Sequence, residues 1–328
     1  MKNNLIKCWL LIIFSLINAA SYAVEIYGHR GARGLAPENT IVAYKTALKI
    51  GVDFVDMDVG MTKEGVLVVT HDFSLNPDIT RDAKGNFIKQ SILIKNLKLK
   101  QIQQYDVGRI NPRSFYAKLF PEQVSVNGER ISTLRQVIQY VKGVAGNKIK
   151  FQIEIKTTPE HPDWTYSPVR FAKALAVILQ EEHIIDRTEV QAFDFRNLLE
   201  LHKINPAIKT AFLTDVDNAK NMLSSDARIA GQWSAGYLLK DYHNSIPLMI
   251  VKLGGAVWGP QDVELNKKLV DEAHAVGLKV VPWSWPEKTG SEFNEKEINY
   301  LINIGVDGII TDRPDKLKKM LVLAPKSS

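Results

Sequence analysis

The sequence predicts an α/β fold, a (βα)8 barrel with an insertion in the region of the second to third strand. Short runs of β-forming residues alternate with amphipathic helical runs along most of the 328 residues, which is the pattern of repeated βα units around a parallel sheet. About eight such units suit a barrel of this length. A doubly wound open sheet is the competing fold, but no G-x-G-x-x-G fingerprint follows the first strand.

The first strand is predicted at VEIYGH (24–29), followed by a helix from Glu38 to Ile50 that stops at Gly51. VDFVDMDV (52–59) is the next strand, and the extended run GVLVVTH (65–71) leads to His71. The later predicted strands are KFQIEIK, TEVQAF, IKTAFL, LMIVKL, LKVVPW and VDGIIT, beginning at residues 150, 188, 208, 248, 278 and 306. A further helix is predicted from Asp262 to Val276.

The alternation breaks down over about residues 72–131. This segment is polar, with turn signals at NPD, DAKGN and NPRS and one helical run around Leu97 to Tyr105. We interpret it as an insertion on the catalytic side of a single barrel domain that spans residues 24–328.

Residues 1–23 have the pattern of a secretory signal peptide. Lys2 and Lys7 precede an apolar stretch from about Trp9 to Ile17, and small residues follow near Ala23. The apolar stretch is shorter than the roughly 20 residues that span a bilayer. We therefore expect export, to the periplasm or outside the cell, with no stable membrane insertion after cleavage.

Charge and cysteine content narrow the range of partners. Cleavage would remove the only cysteine, Cys8, and would lower the formal net charge from +6 to +4. The mature chain would then have neither a disulfide nor a thiol nucleophile, and its basic residues are scattered. Nucleic acid is not an expected partner; a small anionic molecule is compatible with this charge, and the oligomeric state stays open.

Ionisable residues gather where the predicted strands end. His29 ends the first strand, Asp56 and Asp58 end the second, and Glu154 lies near the end of KFQIEIK. Residues two apart on a strand point to the same face, so the two aspartates are presented together. Burying three carboxylates near one another is costly unless a cation neutralises them, and oxygen ligands favour Mg²⁺ or Ca²⁺. The sequence therefore predicts one divalent ion held by Asp56, Asp58 and Glu154.

His29 and His71 are the candidates for proton transfer. Two histidines at separate strand ends can divide general acid–base catalysis, one taking a proton from the attacking group and the other protonating the leaving oxygen. Arg30 and Lys156 can balance the charge of a phosphate. Such a set suits displacement at phosphorus.

These residues lie in motifs that resemble the glycerophosphodiester phosphodiesterases. The similarity runs through GHRGARGLAPENT, VDFVDMDVGMTKEGVLVVTHD, FQIEIK, GLKVVPW and GVDGIITDRPD, and covers nearly all of the mature chain. It implies a metal-dependent barrel that hydrolyses glycerophosphodiesters to an alcohol and glycerol 3-phosphate. It also implies that the segment after His71 is a lid-side element.

Transferred residue by residue, the resemblance gives each candidate a role. His29 and His71 would form the acid–base pair, Asp56, Asp58 and Glu154 would bind Ca²⁺ or Mg²⁺, and Arg30 and Lys156 would contact phosphate. Glu38 and Asn39 would lie beside the metal site or orient the substrate, and Trp283 would wall the glycerol side.

Three features depart from the usual family pattern. Asp56 stands where glutamate is usual, and its side chain is one methylene shorter. Ala192 replaces a common serine, and Ser284-Trp285-Pro286 follows Trp283 where an aliphatic residue and asparagine are usual. We expect the first to affect metal affinity and the last to reshape the mouth of the substrate pocket.

Three alternatives stay open at this point. A phospholipase D-like enzyme acting on lysophospholipid or sphingolipid could use the same two histidines and three carboxylates. A non-catalytic exported binding protein could keep the barrel, although the presence of every candidate residue argues against it. A glycosidase could use Asp56 and Glu154, but it leaves both histidines and Arg30 without a role.

Overall fold

A computed structural model describes residues 24–215, 227–290 and 292–323. The predicted signal peptide, residues 1–23, lies outside the described residues. Within the described ranges, no helix is long and apolar enough to cross a membrane.

Eight parallel strands form the predicted barrel. The strands of the whole sheet, in chain order, are β1 (Glu25–Gly28), β2 (Phe54–Met61), β3 (Leu67–Val69), β4 (Lys150–Ile155), β5 (Thr188–Ala192), β6 (Lys209–Thr214), β7 (Val257–Pro260), β8 (Lys279–Val280) and β9 (Gly308–Thr311). Their spatial order is β8-β7-β6-β5-β4-β2-β1-β9. The ring closes between its ends, where Asp307 N donates to Val280 O at 2.9 Å and Ile310 N to Pro282 O at 3.0 Å.

The longer helices surround the ring and contribute buried apolar residues to the main core, whereas α2 and α3 belong to the insertion and pack in separate clusters. They are α1 (Ile41–Ile50), α2 (Leu99–Ile102), α3 (Tyr116–Leu119), α4 (Leu134–Ala145), α5 (Pro168–Glu181), α6 (Phe195–Ile204), α7 (Ala227–Trp233), α8 (Ile246–Lys252), α9 (Lys267–Ala275), α10 (Pro286–Thr289), α11 (Glu295–Ile304) and α12 (Pro314–Leu323). A separate apolar cluster fills the barrel interior, and in it the stacked rings of Tyr27 and Phe54 have their centroids 4.0 Å apart.

One predicted strand is wrong. LMIVKL (248–253) lies almost wholly in α8, and the strand of this unit is β7, nine residues further on from Leu248. Ser245 caps the helix by accepting a hydrogen bond from Leu248 N, and a proline occupies its first turn. Met249, Ile250 and Leu253 are buried, at the three-to-four-residue spacing of a helix face. A short apolar run does not by itself distinguish these two structures.

Helix boundaries also differ from the predictions. The first helix begins at Ile41 rather than Glu38, because Asn39 has a positive φ of 56° and the Thr40 side chain caps the helix by accepting from Ala43 N. The run around Leu97 to Tyr105 is helical only over α2. The predicted helix from Asp262 to Val276 begins as a 3-10 turn, Asp262–Glu264, and becomes α-helical at Lys267.

The strand β3 does not belong to the barrel. It pairs antiparallel with the last residues of β2, with Val59 opposite Val69, so β2 and β3 form a hairpin that extends beyond the ring. The segment after it, residues 72–131, contributes to a separate small apolar cluster that includes Leu75, Ile94 and Ile102. The carboxyl end of the barrel is therefore overlaid by an element with its own packing.

Candidate active site

His29 directly follows β1 and is oriented by a carboxylate. Its backbone N–H continues the sheet by donating to Thr311 O at 2.9 Å, and its ring Nδ1 lies 2.7 Å from Oδ1 of the buried Asp312. Arg33 Nη2 also lies 3.4 Å from Nδ1, but the contact with the carboxylate is much shorter. Because an ionised carboxylate only accepts hydrogen bonds, we assign the proton to Nδ1, which makes Nε2 the unprotonated ring nitrogen. Burial lowers the pKa of His29, although Asp312 acts in the opposite direction.

The loop after His29 turns tightly enough to require glycine. Arg30 and Gly31 both have positive φ, 50° and 87°. A Cβ built on Gly31 would lie 2.7 Å from the backbone carbonyl carbon of Ala43, closer than carbon atoms approach without a shift of the backbone. This turn points the Arg30 N–H at Oδ2 of Asp56, at 3.0 Å. The loop and the second strand are thereby held together.

Glu38 and Asn39 hold charged side chains rather than line the cavity. Arg30 Nη1 donates to Glu38 Oε1 at 2.8 Å, and the Tyr116 hydroxyl, from the insertion, donates to the other carboxylate oxygen. Asn39 Nδ2 donates to Asp58 Oδ2 at 2.8 Å. Both side chains are buried. They therefore fix the positions of Arg30 and Asp58 and the docking of the insertion.

Asp56, Asp58 and Glu154 lie on two adjacent strands of the ring, and Asp58 is the register partner of Glu154. Asp56 Oδ1 accepts from Gln191 Nε2 at 2.8 Å. Burial and the charge of Asp58 raise the pKa of Asp56 well above its ordinary value, and burial also raises the pKa of Glu154. Burial acts in the same direction on Asp58, but Lys156, His71 and Arg30 together lower its pKa.

Lys156 lies between two of these carboxylates. Its Nζ is 2.5 Å from Glu154 Oε1 and 3.3 Å from Asp58 Oδ1. Burial is the main cause of the raised pKa values of Asp56 and Glu154, and the charge of Asp58 acts in the same direction on both. The carboxylate donors therefore suit a hard divalent ion, but no group of three or more His, Cys, Asp or Glu side chains among the described residues is placed to hold one.

His71 lies two residues beyond β3, on the hairpin outside the ring. Its Nδ1 is 2.8 Å from Oδ1 of Asp72, and Asn76 Nδ2 donates to the other oxygen of that carboxylate at 2.8 Å. The preceding N–H, of Thr70, donates to Asp58 O at 3.0 Å. The hairpin is therefore pinned to the strand that carries the carboxylates.

A cavity of about 380 Å³ brings most of the sequence-predicted residues together. Those that line it are His29, Arg30, His71, Glu154, Lys156 and Trp283. Asp56 and Asp58 are buried beneath this lining, each 1% exposed, and Glu38 and Asn39 are buried with them. Trp283 donates from Nε1 to Gly259 O at 3.1 Å and meets Phe193 edge-on, so it forms a fixed aromatic wall.

Several residues at the site carry no role in the sequence analysis, among them Arg33, Asp72, Tyr116 and Asp312. Asp312 comes directly after β9, so the strand-end criterion that selected Asp56 and Asp58 could have found it. Asp72 adjoins His71, and its proximity was a usable signal. Arg33 and Tyr116 had no such signal, because their partners lie on segments distant in sequence.

Comparison with protein families gives one match that spans most of the chain. Residues 29–316 match the glycerophosphoryl diester phosphodiesterase family. The Bacillus subtilis protein YhdW, named as a candidate glycerophosphodiester phosphodiesterase, is 30% identical over 90% of this chain and 96% of its own length. A glycerophosphodiester phosphodiesterase of Caldanaerobacter subterraneus is 28% identical over 89% of this chain and 95% of its own length.

Solved structures show the same fold. A candidate glycerophosphoryl diester phosphodiesterase from Silicibacter pomeroyi DSS-3 superposes with a TM-score of 0.80 at 27% identity, covering 92% of this chain and 94% of that one. A phosphodiesterase from Oleispira antarctica, solved in complex with the product sn-glycerol-3-phosphate, superposes with a TM-score of 0.64 at 18% identity, covering 92% and 98% of the two chains. The second resemblance is one of fold.

Proposed function

Because this chain belongs to the glycerophosphoryl diester phosphodiesterase family, we propose that it hydrolyses glycerophosphodiesters to an alcohol and glycerol 3-phosphate by two-histidine acid–base catalysis. The observation that carries the proposal is the convergence of His29, His71, Arg30 and Lys156 on one cavity. The product-bound Oleispira antarctica phosphodiesterase supports glycerol 3-phosphate as the product. Trp283 would form the wall against the glycerol moiety.

Arg30 and Lys156 would bind the phosphate. Arg30 is fixed by Glu38 at 2.8 Å, and its buried Nε, which has no hydrogen-bond partner among the described residues, lies 3.6 Å from Asp58 Oδ2; the residue lines the cavity and supplies positive charge there. Lys156 faces the cavity as a point charge. Together they would hold the phosphorus between the two histidines, so that attack and departure take place on opposite sides.

The two histidines would move the protons. One takes a proton from the nucleophile, either water or the substrate's own glycerol 2-hydroxyl, as an oxygen–phosphorus bond forms. The other donates a proton to the alcohol oxygen as its bond to phosphorus breaks. Attack by the 2-hydroxyl gives a cyclic phosphodiester, which water then opens in a second turn of the same two groups.

Asp56, Asp58 and Glu154 would hold one divalent ion, Ca²⁺ or Mg²⁺. Such an ion, when bound, supplies positive charge to the nonbridging phosphate oxygens. The assignment is supported by the placement of three buried carboxyl groups on two adjacent strands, with Asp58 directly opposite Glu154. Because Lys156 lies between Asp58 and Glu154, ion binding would require its ammonium group to move toward the cavity, where the phosphate would lie.

The test is phosphodiesterase activity of residues 24–328. Glycerophosphocholine and glycerophosphoethanolamine are supplied, and glycerol 3-phosphate release is followed with EDTA and after Ca²⁺ or Mg²⁺ is restored. We expect release that EDTA abolishes and one ion restores. Activity that survives EDTA would contradict metal dependence, and a folded protein without release under either ion would contradict the reaction. Release from lysophospholipid or sphingolipid alone would favour the phospholipase D-like alternative.

Export is a further part of the proposal. The basic, apolar and small-residue regions of residues 1–23 support cleavage after Ala23. Expression of the full chain in a bacterial host, followed by cell fractionation and mass spectrometry, should give a periplasmic or secreted protein that begins at Val24. An intact amino terminus in the cytosolic fraction would contradict it.

A further inference from the structure

Arg33 is the most enclosed charged side chain near the site, with an exposure of 0%. Its Nε donates to Asp312 Oδ1 at 2.8 Å and its Nη2 to Asp312 Oδ2 at 2.7 Å. Its third nitrogen, Nη1, donates to Glu287 at 2.6 Å and to the Tyr116 hydroxyl at 3.1 Å. The guanidinium is therefore fixed by the end of β9, by α10 and by the insertion.

Asp312 is fixed through both its carboxylate and its backbone. Besides the two bonds from Arg33, its backbone N–H donates to Glu292 Oε1 at 3.0 Å, and the preceding Thr311 hydroxyl donates to the same oxygen at 2.7 Å. The carboxylate is 1% exposed. A planar, two-pronged pair of this kind restricts both position and rotation of the carboxylate.

The remaining contact of this carboxylate is with His29 Nδ1, at 2.7 Å. A buried Arg–Asp pair with a purely structural role would need only the two hydrogen bonds between its own side chains. Here Asp312 Oδ1 accepts from both Arg33 and the histidine. The carboxylate at His71 differs, since Asp72 has a side-chain exposure of 36% and is held by a single Asn76 amide.

We propose that Asp312 is a positioning residue that fixes the tautomer and ring orientation of His29, and that Arg33 is a positioning residue that fixes Asp312. The inference rests on the proposed function, in which His29 transfers a proton. A proton held on Nδ1 by Asp312 leaves Nε2 unprotonated and facing the cavity, as a base must be. If Asp312 is replaced, the ring can rotate and its proton can occupy either nitrogen.

Removing each partner should shift the His29 pKa in opposite directions. Asp312, from the end of β9, raises it, while Arg33 and Arg30, from the histidine's own loop, lower it. Glu287 and Glu292 affect the His29 pKa only indirectly, through their contacts with Arg33 and with Asp312. Asp312→Asn should therefore lower the His29 pKa and Arg33→Met should raise it. Loss of packing alone would not produce shifts of opposite sign.

The experiment compares the wild-type protein with Asp312→Asn and Arg33→Met. Nitrogen-15 NMR of the histidine rings, with the His29 signals assigned from a His29→Asn variant, reports tautomer and pKa. Steady-state kinetics on glycerophosphocholine report kcat, KM and the pH profile. Asp307→Asn is the matched control, because Asp307 contacts His274 Nε2 at 2.9 Å in a histidine–carboxylate pair away from the cavity. Its carboxylate also accepts from Val280 N at 2.7 Å where the ring closes, and the asparagine oxygen can keep that hydrogen bond.

For Asp312→Asn we expect a mixed His29 tautomer and a fall in kcat between about 10-fold and 10⁴-fold with little change in KM. Asp307→Asn should change neither. A folded Asp312→Asn protein with the wild-type tautomer and kcat would overturn the proposal, as would pKa shifts of the same sign in the two variants. An inactive wild-type protein would count against the proposed function alone, since the NMR readouts need no substrate.

Unpaired buried charge could prevent Asp312→Asn from folding. The double variant Arg33→Met, Asp312→Asn removes both charges and serves in that case. We expect it to show the same mixed His29 tautomer, and a retained Nδ1–H tautomer would overturn the proposal.

Discussion

His29 and His71 line the same cavity in different surroundings. His29 has a side-chain exposure of 16% and faces a carboxylate that is 1% exposed, whereas His71 and Asp72 are 31% and 36% exposed. The charge on His29 is therefore governed by protein groups, while solvent screens the pair at His71. Such asymmetry suits two histidines that play opposite parts in one reaction.

Replacing either histidine by alanine should lower kcat by about 10²–10⁴-fold, the usual contribution of general acid–base catalysis. The measurement is glycerol 3-phosphate release, with circular dichroism to verify folding. His274→Ala, on α9 and away from the cavity, is the control and should retain wild-type turnover. Wild-type turnover in His29→Ala or His71→Ala would contradict the role of that histidine.

Protonation of a single buried carboxyl group, that of Glu264, contributes to the pH dependence of the protein's stability. Burial raises its pKa to about 7 from an ordinary 4.5, and it accepts hydrogen bonds from the Thr214 hydroxyl and Gln261 N. Between these two values the unfolded chain releases a proton that the folded chain retains. The stability associated with this group is therefore complete below about pH 4.5 and is lost as the pH rises to about 7.

Glu264→Gln should accordingly stabilise the protein at pH 8 by about 1 kcal/mol, after allowance for solvent screening, and should have little effect at pH 4. Urea unfolding at the two pH values measures the difference. An equal effect at both would show that the carboxyl does not titrate in this window.

At the scale of elements, the loop after β1 requires glycine at position 31. Gly31 combines a positive φ with close contact to α1, whereas Gly85, in the insertion, has a φ of 83° and nothing within 4 Å of a Cβ. Both glycines have a positive φ, which other residues rarely adopt, but only Gly31 lacks space for a side chain. Alanine substitutions at the two positions therefore separate the cost of the left-handed backbone from the cost of the steric clash.

Gly31→Ala should destabilise the protein by more than about 1–3 kcal/mol, since overpacking adds to the cost of a left-handed alanine, and should displace Arg30 with a loss of activity. Gly85→Ala should cost only the roughly 1–2 kcal/mol of the left-handed conformation and keep full activity. Thermal unfolding and turnover measure both. Equal destabilisation by the two changes would mean that contact with α1 is unimportant.

Strands were predicted correctly where the residue pattern and the length of the run indicated the same structure. The prediction was wrong where a short apolar run fitted both a strand and a helix. The strands carrying Asp56 and Glu154 were predicted because each is a run of β-forming residues of strand length. The predicted end of the first of them was wrong, since β2 continues to Met61 and Asp56 and Asp58 lie within it. LMIVKL was misread because a six-residue apolar run fits a strand, while its helical state depends on the Ser245 cap and on packing against other elements. Local composition shows the type and length of such a run, but it contains only part of the information on helix capping and on packing against other elements.

At the scale of the whole molecule, the site depends on closure of the ring. β1 lies between β2 and β9, so the residues that follow these three strands become neighbours although they are far apart in sequence. The predicted fold class placed all strand ends at one rim, which was enough to group His29, Asp56 and Glu154. It did not reveal that Arg33 would pair with Asp312, since that contact depends on side-chain direction.

If Asp56, Asp58 and Glu154 bind a divalent ion, the ion should stabilise the native barrel by mass action. At a concentration 100 times Kd the gain would be about 2.7 kcal/mol, visible as a rise in Tm on addition of Ca²⁺ or Mg²⁺ to EDTA-treated protein. Asp58→Asn should abolish the rise. An unchanged Tm with both ions would contradict the carboxylate assignment.

The hairpin of β2 and β3 places the two histidines of the cavity in different structural units. His29 is part of the closed ring, whereas His71 is attached to an arm that projects from it. The arm can lengthen, shorten or change sequence without breaking any hydrogen bond that closes the barrel. Changes in this arm can therefore move His71 relative to His29 while the hydrogen bonds that close the ring stay in place.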